Sequence, residues 1–238
     1  MTDFPEELLR GYRGFRAAKF PRHRERYESL ASKGQFPATL VIACCDSRAA
    51  PETVFGSGPG QMFVVRNVAN IVPPCKPDDG HHSTSAALEF AVQCLDVKNI
   101  VVMGHCSCGG IAAALKSTHT PLSPGNFIGQ WIEILRPIIS EVVDNATVAT
   151  SSRQSVAERK SVLQSLKNLR SFPFVKAREE LGELRLFGTW FDIGAGQLWV
   201  ADEHSGRFSP LDLALPHAES ADSEAFRHGI EISRTFAI

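Results

Sequence analysis

Two short apolar runs, Leu40-Val41-Ile42-Ala43 and Ile100-Val101-Val102-Met103, are each rich in β-branched residues and stopped by polar residues or glycine. That is the pattern of strands buried on both faces of a parallel sheet. Read along the chain, it predicts strands at residues 39–44, at Met62-Phe63-Val64-Val65 ending in Arg66-Asn67, at residues 99–103, and at residues 184–191. Gly194-Ala195-Gly196 then turns the last strand back into Gln197-Leu198-Trp199-Val200, a hairpin partner. Between the strands the spacing becomes helical. Pro51-Glu52-Thr53-Val54-Phe55 reads as a short helix with proline in its first turn. Residues 81–95 follow, capped by Ser83, Thr84 or Ser85 and apolar almost all round, hence buried. Further helices are predicted at residues 109–116, at 127–143 despite Pro137, and at 155–169. Strands alternating with helices define an α/β fold, a mostly parallel central sheet flanked by helices.

Ahead of the sheet, residues 5–20 carry Leu8, Leu9, Tyr12, Phe15 and Ala18 at helical spacing. Pro21 breaks the pattern, and residues 22–33 resume it with Tyr27, Leu30 and Ala31 before Gly34. Residues 1–34 are therefore expected to form a helical arm that either packs on itself or reaches across a neighbouring subunit. No repeat or shift in composition divides the chain, so residues 1–238 are read as a single domain. The stretch from Asp202 onward carries no clear pattern.

With 43% apolar and 21% charged residues and a net charge of −1, the chain reads as a soluble protein with no nucleic acid or membrane partner. No run approaches the ~20 apolar residues that span a bilayer. The first seven residues, Met1-Thr2-Asp3-Phe4-Pro5-Glu6-Glu7, lack the form of a signal peptide, and a cytoplasmic location is expected. Six cysteines are too few for a disulfide scaffold and suit a reducing compartment with thiolates used as ligands. Cys45, Cys75, Cys94 and Cys106 are expected to be free buried thiols.

The chemistry gathers at two strand ends. Cys44-Cys45-Asp46-Ser47-Arg48 closes the first strand, and Gly104-His105-Cys106-Ser107-Cys108-Gly109-Gly110 closes the third. Sites in open α/β sheets form outside the carboxyl ends of strands, so the two clusters can converge. Thiolates from Cys44 and Cys108 with the imidazole of His105 suit zinc. Alternation places Cys44 and Asp46 on one side and Cys45 on the other. His105 and Cys108 lie one helical step apart, Gly109 and Gly110 permit close backbone approach, and their amides can bind an anion. Asp46 decides the fourth zinc position. Free, it closes the site; paired to Arg48, it leaves room for water and accepts that water's hydrogen bond. The open site is favoured, with a structural zinc as the alternative. Two thiolates cancel the zinc charge, so full activity should need alkaline conditions. His81-His82 reads as solvated cap residues rather than a second metal site, Arg66-Asn67 as a loop anchor, and Phe63, Val68 and Phe90 as core by composition alone.

Taken together, Cys44-Cys45-Asp46-Ser47-Arg48, Phe63-Val64-Val65-Arg66-Asn67-Val68-Ala69-Asn70 and Gly104-His105-Cys106-Ser107-Cys108-Gly109-Gly110-Ile111 resemble the β-class carbonic anhydrases, with a weaker echo at residues 187–193. The resemblance implies zinc, one per subunit, on Cys44, His105 and Cys108, with Asp46 and Arg48 as a catalytic dyad. It implies that Gln35 and the Gly109 amide orient substrate, and that Phe63, Val68 and Phe90 line a small carbon dioxide pocket partly across a dimer interface. The implied reaction is reversible hydration of carbon dioxide to bicarbonate in a homodimer or larger assembly whose N-terminal helices wrap the neighbour. Relatives with an allosteric bicarbonate site carry Trp where this chain has Val41 and Tyr near Phe191, so the chain is more similar to the plant-type subclass. Phe90, often Tyr in that subclass, and Cys106 are departures. Carbon disulfide or carbonyl sulfide hydrolysis on the same scaffold, and a non-catalytic zinc-stapled binding protein, are the rival readings.

Overall fold

The computed structural model describes residues 4–78, 80, 82–116 and 121–212. Among them, β1 (Thr39–Cys44), β2 (Met62–Asn67), β3 (Asn99–His105), β4 (Arg185–Asp192), β5 (Gln197–Asp202) and β6 (Arg207–Pro210) form one sheet in the order β2-β1-β3-β4-β5-β6. The pairs among β2, β1, β3 and β4 are parallel, and β5 and β6 are added antiparallel. The two apolar runs pair in register, Leu40 beside Ile100 and Ile42 beside Val102. Neighbouring parallel strands lie about 4.8 Å apart, so this register brings the polar ends of β1 and β3 together at one edge of the layer.

The helices are α1 (Glu6–Gly14) and α2 (Phe20–Lys33) joined by a π turn (Phe15–Lys19), then α3 (Pro51–Val54). Next come α4 (Ser83–Glu89), running into a second π turn (Phe90–Cys94), and α5 (Gly109–Ala114). A 3-10 turn (Glu133–Leu135) separates α6 (Phe127–Ile132) from α7 (Arg136–Asp144), and α8 (Arg153–Leu169) and α9 (Pro173–Glu180) complete the set. Alternate strand residues face opposite ways. Leu40, Ile42, Ile100 and Val102 pack with Leu88, Ala91 and Val92 near α4 and with Val162, Leu166 and Leu169 of α8. Val41, Ala43 and Met103 point to the other face, where Ala49 and Val54 cover them. A third cluster, built from α5 to α8, sits at the strand ends around Cys44 and Cys108. Gly104 is a real constraint: a Cβ there would stand 2.7 Å from Val162 Cγ2, so glycine lets α8 lie close on β3.

Several expectations are corrected. Pro21 does not separate two helices, because the π turn lets Phe20 N–H reach Phe15 O and the proline falls in the first turn of α2, where its missing N–H is not needed. Pro137 is accommodated the same way in α7, so the helix expected over 127–143 is broken by the 3-10 turn. The helix from 109 ends at Ala114 rather than 116. His82 occupies the cap position of α4 without a side-chain cap bond, while Thr84 is buried and accepts from Asn67 Nδ2 at 3.3 Å; His81 lies outside the described residues. The helical run after it is not buried all round, since Phe90 is 46% exposed. α9 and β6 carry no sequence expectation. No described helix is long and apolar enough to cross a membrane.

No residue of α1 or α2 is buried. Tyr12, Phe15, Phe20 and Tyr27 pack ring against ring along the run, and Arg26 Nε donates to Pro59 O at 2.7 Å, tying α2 to the loop ahead of β2.

Candidate metal centre

β1 ends at Cys44, but Cys45 N–H still donates to Asn67 O at 2.9 Å, so extended geometry persists one residue further. Alternation then turns Cys45 outward, where it is exposed, and leaves Cys44 buried with Asp46 on its side. β3 ends at His105. Ser107, at φ 54°, reverses the chain and delivers Cys108 to the cap position of α5. Cys44, His105 and Cys108 are thereby buried with their ligand atoms all within 4.8 Å of one another, the two Sγ atoms 3.9 Å apart.

The donor set fits a metal ion. His105 Nδ1 lies 2.9 Å from Cys106 O, an acceptor only, so Nδ1 carries the proton and Nε2 keeps its lone pair. That Nε2 is buried and has no hydrogen-bond partner among the described residues, a costly arrangement unless something accepts the lone pair. Two sulfurs and one such nitrogen are a zinc donor set. The thiols are prepared for it. Cys44 is brought down to about 4, chiefly by the Cys108 thiol and against burial, with help from His105 and the Asp46 and Ala69 amides. Cys108 is pushed up by the Cys44 sulfur and by burial, against the amides of Ile111 and Gly110. Sulfurs this close share one proton, and a dication relieves the repulsion that holds it there. Burial draws His105 down, yet Cys44 and the Cys106 carbonyl outweigh it and its net shift is upward.

Asp46 stands beside this cluster, its Oδ2 3.9 Å from His105 Nε2. Arg48 grips it from both sides: Nε donates to Oδ1 at 2.9 Å, Nη2 to Oδ2 at 2.8 Å, and the Arg48 backbone N–H to Oδ1 at 3.0 Å. These bonds hold the carboxyl well below the usual range. Arg48 Nη2 also donates to Ser107 O at 3.2 Å, linking the two strand-end loops. Arg66 donates to Cys44 O at 2.9 Å and to Asp46 O at 2.7 Å, and Asn67 bonds both backbone groups of Ile71 at 2.9 Å, so this pair is the loop anchor expected.

Of the expected substrate residues, Val68 adjoins the cluster through Ala69, whose N–H bonds Cys44 Sγ, whereas Phe63 pairs with Leu40 near the start of β1 and Gln35 precedes that strand, toward the end away from Cys44. Phe63 and Phe90 pack ring to ring at 5.9 Å, and Val68 and Phe90 are 37% and 46% exposed, so neither of the latter two is core. Gln35 lies exposed between α2 and β1. The close approach expected at both glycines occurs at Gly110, where a Cβ would meet Val68 Cγ1 at 2.8 Å and Ala69 Cβ at 2.9 Å; at Gly109 it would meet nothing within 4 Å. All six cysteines are free, but the four outside the cluster are not buried: Cys45 and Cys94 are exposed, Cys75 and Cys106 half-buried.

Glu158 was missed. It is buried on α8 and accepts from the Cys108 backbone N–H at 3.0 Å, from Gln154 Nε2 at 3.1 Å and, through its other oxygen, from Trp190 Nε1 at 3.1 Å. Burial raises its pKa although these donors oppose the shift. The available signal was a carboxylate four residues before Val162, on the apolar stripe of its helix.

The fold and this cluster define a class, α/β proteins whose mostly parallel sheet delivers two cysteines and a histidine, a group that could hold a metal ion, to a buried cluster beside an arginine-locked carboxylate. A sequence profile of the carbonic anhydrase family matches residues 39–198, which take in all of these groups. Beta carbonic anhydrase 3 of Arabidopsis thaliana is 35% identical over 204 residues, covering 84% of this chain and 78% of the relative. A carbonic anhydrase of Helicobacter pylori is 32% identical over 212 residues, covering 88% and 96%. Among solved structures, the β-carbonic anhydrase CcaA superposes with a TM-score of 0.78 at 31% identity, covering 86% of this chain and 98% of that one. A tetrameric β-carbonic anhydrase of Sordaria macrospora gives 0.71 at 29% identity, covering 87% and 96%. The chain belongs to the β-class carbonic anhydrases, lyases of carbon dioxide hydration.

Proposed function

We propose that the chain holds one zinc ion per subunit on Cys44, His105 and Cys108 and catalyses the reversible hydration of carbon dioxide to bicarbonate and a proton, as a plant-type member of its family with the fourth metal position open to solvent. The observation that carries the reading is the Asp46–Arg48 lock. Both carboxylate oxygens are engaged by Arg48, so Asp46 stands beside the cluster as an oriented acceptor rather than as a fourth ligand. Zinc at this site would supply the Lewis acidity that makes water nucleophilic well below its ordinary ionisation range.

The chain's own residues do the rest. Asp46 accepts a hydrogen bond from the attacking oxygen and aims its lone pair at the carbon. Arg48 keeps that carboxylate ionised and fixed. Carbon dioxide is apolar, and the Phe63, Val68 and Phe90 side chains offer it a matching surface. The Gly109 amide orients substrate or bicarbonate, and Gln35, which precedes β1 at the end away from Cys44, takes the same role across a subunit interface. The proton leaves to buffer.

The exposed apolar side chains on the arm (Leu8 and Tyr12) and at Val68 and Phe90 favour a homodimer or larger assembly in which each arm covers its neighbour. The tetrameric relative from Sordaria macrospora accords with this. Free thiols at the site suit a reducing, cytoplasmic setting.

Stopped-flow hydration assays on protein of measured zinc content test the reading. Asp46→Asn should retain its zinc and lose roughly ten- to a hundredfold in rate. An undiminished rate would remove Asp46 from the mechanism. Sulfide release from carbonyl sulfide or carbon disulfide without carbon dioxide hydration would transfer the chain to those hydrolases, and zinc with neither activity would leave the metal a structural staple.

A further inference from the structure

The turn after β2 holds its backbone in an unusual conformation. Ala69 lies at φ 64°, ψ 24° and Asn70 at φ 46°, left-handed values adopted here by two residues that are not glycine. Three groups pin it there. Asn67 bonds both backbone groups of Ile71, the bare Cα of Gly110 lets α5 close on Val68 and Ala69, and Trp131 of α6 donates its indole N–H to Val68 O at 2.8 Å. The strain serves a purpose that can be read directly, for the Ala69 N–H donates to Cys44 Sγ at 3.3 Å.

Val68 C=O and Ala69 N–H are the two ends of one peptide unit. A donor on the carbonyl polarises that unit and makes its N–H a stronger donor in turn. Trp131, half-buried and far from Cys44 in sequence, is thus linked to the sulfur through a single amide. We propose that Trp131 is a positioning residue for the metal centre, its indole N–H acting through the Val68–Ala69 peptide to withdraw charge from Cys44 Sγ. The proposal rests on the reading of Cys44 as a metal ligand. Hydrogen bonds to ligating sulfur are a recognised means of tuning a bound metal, because they lower the charge the sulfur donates. Cys44 is therefore the weaker donor while Trp131 is in place, and the metal keeps more of its Lewis acidity. Loss of the indole N–H should reverse both effects.

The test uses cobalt(II) in place of zinc, in the full chain and in Trp131→Phe, which keeps an aromatic ring and drops the N–H. The sulfur-to-cobalt charge-transfer band should move to lower energy in the variant, and the Ala69 amide proton in the zinc form should move upfield as its bond to sulfur weakens. A role limited to packing would move the melting temperature and neither of these signals. A band and an amide resonance both unmoved in metal-loaded Trp131→Phe would overturn the relay alone. A parent protein that takes up no cobalt would overturn the metal reading and the relay with it. If Trp131→Phe fails to fold, benzothienylalanine at position 131 preserves the shape of the indole while removing its N–H, and the same two signals decide.

Discussion

At the scale of single residues, His105 bonds Cys106 O through Nδ1, leaving Nε2 for a cation; Cys44 and Cys108 flank it, and Asp46 is held beside it by Arg48. Cys108→Ala should leave only one sulfur and one nitrogen and lose the metal, read directly as zinc per chain after dialysis. Full zinc retention would refute the ligand set. The pH dependence follows from charge. Asp46 has a folded pKa below its unfolded one, so its pairing stabilises the fold above the ordinary carboxylate range near pH 4 and is lost only as pH falls through the depressed value. Asp46 is therefore ionised throughout the neutral range. With two thiolates cancelling the zinc charge, solvent at the metal should ionise later than at a site of neutral imidazoles. Hydration rate should accordingly climb from neutral to alkaline pH, and a flat profile would contradict it. Local spacing made these groups legible: Cys-x-Asp-x-Arg and His-x-x-Cys each lie within one turn of chain. The roles of Ala69 and Trp131 were not, because each meets the cluster across a long separation and through backbone atoms, which leave no mark in composition, and Glu158 showed only as a carboxylate on an apolar helical stripe.

At the scale of elements, the strands were legible because full burial imposes unbroken β-branched runs, and β1 and β3 fall where those runs do. The prolines misled. Pro21 and Pro137 both punctuate the sequence, yet a π turn and a 3-10 turn place each in a first helical turn, where a missing N–H costs little. α9 and β6 escaped notice because neither carries a distinct apolar period. α8 matters most among the helices, since Val162 fits against Gly104 and Glu158 reaches the Cys108 amide from the same face. Glu158→Ala should leave the Cys108 and Trp190 N–H groups buried and unpaired, at roughly 1–3 kcal/mol each. A loss of about 2–6 kcal/mol is expected from the urea midpoint, without loss of secondary structure. A change within about 0.5 kcal/mol would show that water replaces the carboxylate freely.

At the scale of the whole molecule, the arm shares one property with Val68 and Phe90: apolar side chains facing outward. Leu8, Tyr12, Val68 and Phe90 each present apolar area that association would cover. Deleting residues 1–33 should lower the assembly state in analytical ultracentrifugation and reduce hydration even with zinc in place. An unchanged assembly would place the interface elsewhere. The arm's helicity was legible from its period, but its partner was not, because one chain's sequence does not state what its exposed face meets. The central claim is that the cluster of Cys44, His105 and Cys108 holds a zinc ion with room for solvent. It is tested most directly by stopped-flow carbon dioxide hydration on one preparation stripped of metal and titrated back with zinc. The rate should rise in proportion to zinc and level off at one ion per chain. Full zinc occupancy with no bicarbonate formed at alkaline pH would contradict it.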